Sequence, residues 1–386
     1  MSQNQSPGRN SGAAGSAGRQ SVAARRLVID ARESGTSTGR YIDKLIEHLH
    51  ELKPTEEVVI LTKTDRLDFF ARLTPTFRVV KSDYKEFTFA EQIGLLKQIN
   101  SLKADLVHFP MVQQPVLYGG RVVTTMQDLT TVRFRNPTKN PLVFWLKQQV
   151  YKWVNKRVAK KSKWLITPSK FVKDDVVSYT GVSPSKITVT YEAADKVTAP
   201  PEPIFGVKAN KFIAYVGRPL PHKNLKRLVE AFGQLKDTHP GLKLVLAGKK
   251  DSLMEGLEKY ADQKGISGVV FPGFVSDAQW RWMFENCSAY VFPSLSEGFG
   301  LPGLEAMLYG APVVSSSATC LPEIYGQAAL YFDPENVDDM AAKLKQVLEN
   351  ESLRQELIKK GKKQAAKYSW AKMAAQTYDV YKKVLG

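Results

Sequence analysis

The chain has 386 residues, 43% hydrophobic and 24% charged, with two cysteines and a formal net charge of +17. That length exceeds the usual limit for one hydrophobic core and predicts two domains of ordinary size. Two cysteines, Cys287 and Cys320, exclude a disulfide framework, and no apolar run is long enough to cross a bilayer, so the expected compartment is the cytoplasm.

Residues 1–24 are rich in Ser, Gly, Ala, Asn and Gln without an apolar core, and read as a disordered tail rather than a signal peptide. Leu27-Val28-Ile29-Asp30 is a short apolar strand, followed by the glycine loop Gly35 to Gly39 and a helical pattern over 40–52. Val58 to Leu61, Phe77 to Val80, Leu106 to Phe109, Val122 to Thr125 and Trp164 to Thr167 read as further core strands. Most are separated by helix-length segments. Pro200-Pro201-Glu202-Pro203 breaks the pattern and marks a linker over 200–210.

The alternation then restarts with Phe212 to Gly217, a helix over 225–236, Leu242 to Gly248, Ala289 to Phe292 and a strand that starts with Ala311-Pro312-Val313-Val314. Two successive βα series predict an α/β chain of two Rossmann-like, doubly wound parallel sheets, spanning 25–199 and 211–368. Ligands in such sheets bind beyond the carboxyl ends of the strands, which implies a cleft between the domains.

The positive charge is uneven. Between Asp128 and Asp174 there are twelve Lys or Arg residues and no acid. Within that stretch Leu146, Val150, Val154 and Val158 recur every fourth residue, flanked by Lys147, Lys152, Lys156 and Lys160. This is a basic amphipathic helix, and two readings stay open: a solvated face beside a buried stripe, or contact with anionic lipid. No zinc pattern, basic zipper or aromatic RNA-binding signature accompanies the charge, so nucleic acid is not an expected partner.

The segment Ser296-Glu297-Gly298-Phe299-Gly300-Leu301-Pro302-Gly303-Leu304-Glu305 follows a strand-like run. It places Glu297 on a loop and Glu305 in the first turn of a helix that Pro302 opens and Gly310 closes. A strand, a glycine loop and a helix tip make an anion site, approached by the backbone N–H groups of Phe299, Gly300 and Leu301. Arg218 and Lys223 lie between another strand and its helix, and two cations there suit a diphosphate.

These two blocks resemble the signature of retaining glycosyltransferases of family 4, whose fold is called GT-B: Gly-Arg, a following His-Lys-Asn, then two glutamates with Gly-Phe-Gly-Leu-Pro between them. Asp30-Ala31-Arg32 with Gly39-Arg40-Tyr41, Thr167-Pro168-Ser169 and Ser369-Trp370 extend the likeness, the last implying a helix, 369–386, that returns to the first domain. The resemblance implies that Arg218 and Lys223 hold the donor diphosphate, Glu305 the ribose and Glu297 the transferred sugar. Gly35 and Gly39 are expected among the donor-binding residues. At a position where the family commonly has His before Asp, this chain has Gln127, which can bond a sugar hydroxyl but carries no charge.

There is no Asp-x-Asp to bind a metal through the diphosphate, so the expected enzyme is metal-independent and needs no cofactor, the nucleotide sugar being a co-substrate. Mannose from GDP-mannose is the expected transfer, to a glycan or lipid-linked acceptor, with anomeric retention implied by the family. UDP-glucose, a hydrolase pairing Glu297 with Glu305, and a weakly active nucleotide-sugar binding protein remain as alternatives.

Overall fold

A computed structural model describes residues 24–36, 38–134 and 140–386. The expected N-terminal tail lies outside them, residue 24 apart. A seven-stranded sheet has the order β3-β2-β1-β4-β5-β6-β7, and a six-stranded sheet the order β10-β9-β8-β11-β12-β13. Every pairing in both is parallel.

The first sheet contains β1 (Arg26–Asp30), β2 (Glu57–Thr62), β3 (Arg78–Lys81), β4 (Leu106–Phe109), β5 (Val122–Thr125), β6 (Trp164–Thr167) and β7 (Ile187–Val189). The second contains β8 (Phe212–Val216), β9 (Lys243–Ala247), β10 (Val269–Gly273), β11 (Ala289–Phe292), β12 (Val313–Ser316) and β13 (Ala329–Phe332). The central strands β4, β5, β11 and β12 are buried along their whole length, as near-continuous apolar runs covered on both faces should be.

Strand order reverses between β1 and β4 in the first sheet and between β8 and β11 in the second. Connections leave such a point in opposite directions and open a crevice beyond the strand ends. The segments after β8 and β11 carry Arg218, Lys223 and Glu297, so topology alone brings them together.

The closing helix Trp370–Leu385 returns to the first domain, where Trp370, Met373, Val380 and Tyr381 are buried against Leu27, Ile29 and Leu45. His108, on β4, is fully buried beneath it. Its Nδ1 lies 2.6 Å from the Tyr381 hydroxyl and its Nε2 2.9 Å from Thr125 Oγ1. Burial pushes its pKa down to about 3, so it is a neutral core histidine.

A second buried polar group sits at the end of β1. Arg32 donates to Asp30 at 2.9 and 2.7 Å and to Glu91 at 2.9 Å, all three nearly inaccessible. Glu91 also accepts the N–H of Phe87 at 3.0 Å, and Phe87 has a left-handed backbone with φ 61°. A bulky residue rarely adopts that conformation, so the carboxylate fixes the path of an otherwise strained loop.

Candidate active site

The turn after β8 is built to hold Lys223 in one place. Asn224 is buried and left-handed, with φ 61° and ψ 29°, and its side chain donates to the carbonyls of Pro293 and Pro334 at 3.1 and 2.7 Å. The N–H of Leu295 bonds the carbonyl of His222 at 2.7 Å, stitching this turn to the loop after β11. As a result Lys223 Nζ lies 2.6 Å from Glu297 Oε1, both side chains only partly exposed. His222 stays neutral beside this pair. Burial and then the adjacent lysine bring its pKa down to about 4.

Arg218 lies on the same crevice rim but is half exposed and bonded to Asp251, at 3.0 and 2.6 Å. Burial pushes the Asp251 carboxyl up, yet hydrogen bonds from Arg218 and from the N–H groups of Met254 and Leu253 outweigh it and hold it below the usual range. A bound diphosphate would therefore share Arg218 with Asp251.

The helix Leu301–Leu308 begins one residue before Pro302, so Glu305 lies just beyond its first turn rather than in it, and Gly310, with φ 83°, lies just past its end. Gly300 has φ 93°, and a Cβ there would meet the Tyr325 hydroxyl at 2.6 Å. The first N–H groups of a helix have no intrahelical partner, so Leu301 presents a donor at this tip. The Phe299 side chain takes a different role from its backbone. It is buried between Tyr191 and Tyr368, with ring centroids 6.4 and 5.6 Å away, where it helps pack the two domains.

Glu305 is buried and forms an ion pair with Arg40, the first residue of the helix Arg40–Glu51 in the other domain. Burial raises its carboxyl pKa while Arg40 opposes the rise. Arg40 also approaches Asp195 at 3.7 Å, and Glu192, close by, has its pKa raised by burial to about 7 against the pull of Arg40. Gly35 and Gly39 shape the turn that delivers Arg40. Gly35 has φ 78°, and a Cβ on Gly39 would sit 1.9 Å from the carbonyl oxygen of Glu33.

Gln127, just past β5, lies over the glutamate loop. A Cβ on Gly298 would be 2.0 Å from the Gln127 carbonyl oxygen, so only glycine permits this approach of the two domains. Gln127 Nε2 is buried and has no hydrogen-bond partner. An unmet buried donor costs about 1–3 kcal/mol, and an occupant's hydroxyl would remove that cost. The neighbouring Asp128 has its pKa raised by burial, opposed by a 2.9 Å bond from the N–H of Thr130.

Further cross-domain bonds surround this point. Ser169 Oγ donates to the Gly298 carbonyl at 2.8 Å, and Thr130 Oγ1 lies 2.9 Å from Ser296 Oγ. Glu323 accepts the N–H groups of Lys170 and Phe171 at 2.8 and 2.9 Å and the Tyr191 hydroxyl at 2.9 Å. A carboxylate at a helix N-terminus is electrostatically favoured, so Glu323 is a strong tie between the domains.

Lys223, Glu297, the Gln127 segment and the helix tip thus share one cleft, with Arg218 at its rim. Sequence reasoning missed Arg40, Asp251, Glu192 and Glu323 as parts of it. Only Arg40 left a trace in the sequence, within Gly-Arg-Tyr. Glu297 and Glu305 are each committed to a different cation, which does not suit an acid and base pair across one sugar bond.

A sequence profile described as "Glycosyl transferases group 1" matches residues 203–364, and one described as "Glycosyltransferase Family 4" matches 38–196. The chain is 26% identical over 380 residues to O-antigen chain mannosyltransferase B of Escherichia coli, covering 90% of this chain and 96% of that one. It is 31% identical over 253 residues to MMP alpha-(1->4)-mannosyltransferase of Mycolicibacterium hassiacum, covering 63% of this chain and 60% of the other. Among solved structures it superposes on Anabaena HepE, in complex with UDP and glucose, with a TM-score of 0.71 at 15% identity, covering 93% of this chain and 99% of that one. Sucrose-phosphate synthase of Thermosynechococcus elongatus gives a TM-score of 0.70 at 18% identity, covering 93% and 99%. With both profiles matched, one on each of the two parallel-sheet domains just described, the chain belongs to glycosyltransferase family 4 and is a glycosyltransferase of GT-B fold.

Proposed function

We propose that this glycosyltransferase moves mannose from GDP-mannose to a hydroxyl of a glycan or lipid-linked acceptor, with retention of anomeric configuration and without a metal. The observation that carries the reading is the Lys223–Glu297 pair at the β8/β11 reversal, on a loop that meets the Gln127 backbone across the domains, where Gln127 Nε2 is buried without a partner. It sets a cation suited to a diphosphate beside a carboxylate and an amide suited to sugar hydroxyls.

In this reading Lys223 and Arg218 hold the diphosphate and stabilise the charge that grows as the C1–O bond to phosphate breaks. Glu297 and Gln127 orient the sugar, and Glu305 takes the ribose once Arg40 gives way. The acceptor hydroxyl attacks C1 from the leaving-group side and passes its proton to a phosphate oxygen of the departing nucleoside diphosphate. Gln127 cannot carry a proton through this step, so its role is to position.

The mannose assignment draws on the relatives named as mannosyltransferases. UDP-glucose is the second reading, favoured by the HepE complex with UDP and glucose. Measuring GDP and UDP release from the two donors, with and without glycan acceptors and in EDTA, tests the proposal. GDP release that rises with acceptor and survives EDTA is expected. UDP release alone, or a loss in EDTA that a divalent cation restores, refutes the corresponding part.

A further inference from the structure

The basic helix Pro141–Lys161 is half attached. Its C-terminal part seals the domain, with Asn155 and Val158 fully buried. The stripe that one of the two sequence readings would bury is exposed further back: Leu146 is 53% and Val150 61% exposed, and Trp145 and Trp153 are 54% and 55% exposed. Large aliphatic and indole groups left in water on one helix face are unusual for a folded domain, and such patches mark interaction surfaces.

The patch extends beyond the helix. The Phe87 ring lies 6.0 Å from that of Tyr151, and the same segment exposes Phe89 at 87% and Ile93. Phe87 holds its left-handed backbone through the buried Asp30–Arg32–Glu91 group, and Ile93 sits in a single turn of π-helix, Glu91–Leu95. Two irregular backbone features therefore present apolar side chains outward beside the helix, which local propensity does not favour.

Charge identifies the occupant. Trp145, Trp153, Lys156 and Lys160 follow one another at spacings of eight, three and four, so they lie along one side of the helix. Lys156, Arg157 and Lys160 are exposed, and no acid occurs between Asp128 and Asp174. An apolar half with tryptophans continuing into a basic half matches the hydrocarbon boundary and headgroups of an anionic bilayer. A second copy would bring the same face, which has no acid between Asp128 and Asp174 to meet the basic row.

We propose that this face seats on an anionic lipid surface, with Trp145, Leu146, Val150, Trp153 and Phe89 entering the acyl boundary and Lys156, Arg157 and Lys160 binding headgroups. The proposal is independent of donor identity, because it concerns only the first domain.

The test is flotation of the full chain with phosphatidylcholine vesicles, with and without phosphatidylglycerol, read together with tryptophan emission. Wild-type protein is expected to float with the anionic vesicles and shift its emission to the blue. Because salt screens only the charged part, a fraction should stay bound at high salt. Reversing Lys156, Arg157 and Lys160 to Glu should lower partitioning roughly hundredfold or more. Trp145→Ser with Trp153→Ser should abolish both the salt-resistant fraction and the blue shift. Circular dichroism and donor affinity serve as controls and should not change. Wild-type protein that stays unbound with both vesicles overturns the proposal. So does a dimer in light scattering that the tryptophan variant converts to monomer while vesicles capture neither.

Discussion

Lys223 Nζ and Glu297 Oε1 lie 2.6 Å apart, so the proposed diphosphate cation and the proposed sugar carboxylate neutralise each other before any donor arrives. A donor must insert its charge beside this pair, so removing one partner does more than delete a contact. Lys223→Ala leaves Glu297 without its cation in a partly buried site, and should weaken nucleoside diphosphate binding by about 1.5–3 kcal/mol. Arg218→Ala should cost roughly 1 kcal/mol, because its exposed guanidinium is already shared with Asp251. Titration calorimetry with GDP checks both, and equal losses would contradict the difference in burial.

The two glutamates should separate in their effects. Glu305→Gln should weaken binding of nucleotide sugar and of free nucleoside diphosphate alike, since both carry the ribose. Glu297→Gln should not weaken nucleoside diphosphate binding, since it frees Lys223 for the phosphates, while lowering turnover tenfold or more, roughly the scale of one lost charged contact in the transition state. Identical binding profiles for the two variants would show that the division of roles is wrong.

Gly298→Ala tests the domain arrangement itself. The added methyl group would sit 2.0 Å from the Gln127 carbonyl oxygen in the other domain, while nothing at Gly298 requires a left-handed backbone. The variant should fold, keep nucleoside diphosphate affinity within about threefold, roughly 0.6 kcal/mol, and lose most of its turnover because the cleft cannot close to this distance. Small-angle scattering should show a more open particle. Wild-type turnover in Gly298→Ala would mean that this approach plays no part in the reaction.

Glu192 gives a pH dependence of defined sign. Its folded pKa is raised to about 7 by burial, against an ordinary value of 4.5, so folding takes up a proton between those values. Stability from this group is full below pH 4.5, falls as pH rises through 7, and is level above it. Glu192→Gln should remove that slope and stabilise the protein at pH 8 by up to about 3 kcal/mol, whereas at pH 4.5 it should be nearly neutral. Melting temperatures of both proteins from pH 4.5 to 8 measure it. Parallel curves would refute the assignment.

The central strands were readable because burial on both faces leaves uninterrupted apolar runs such as Ala289–Phe292. The strands that escaped notice, β7, β10 and β13, are all sheet edges. All three are partly solvated, β7 has only three residues and β10 ends in Phe-Pro-Gly, so their sequences lack the signal. The glutamate block was legible because glycine and proline spacing reports backbone shape locally. Arg40 and Glu323 were not, since their meaning arises from contacts more than 150 residues away. Which of the two readings of the basic helix holds was not legible for a related reason: a four-residue repeat states that a helix has an apolar side, not that anything covers it.

The closing helix Trp370–Leu385 supplies Trp370, Met373 and Tyr381 to the core of the domain that the ribosome makes first. That domain therefore emerges with an open groove over β1 and β4, and His108 and Thr125 wait for the hydroxyl and the cover that come with Tyr381. Domains generally fold as units in order of synthesis, but here the early unit reaches its final form only after the later one has been translated. Chains interrupted before residue 370 would carry a complete donor motif on an unfinished partner. Their apolar groove over β1 and β4 would stay open to solvent, because the sixteen-residue helix that covers it would be missing.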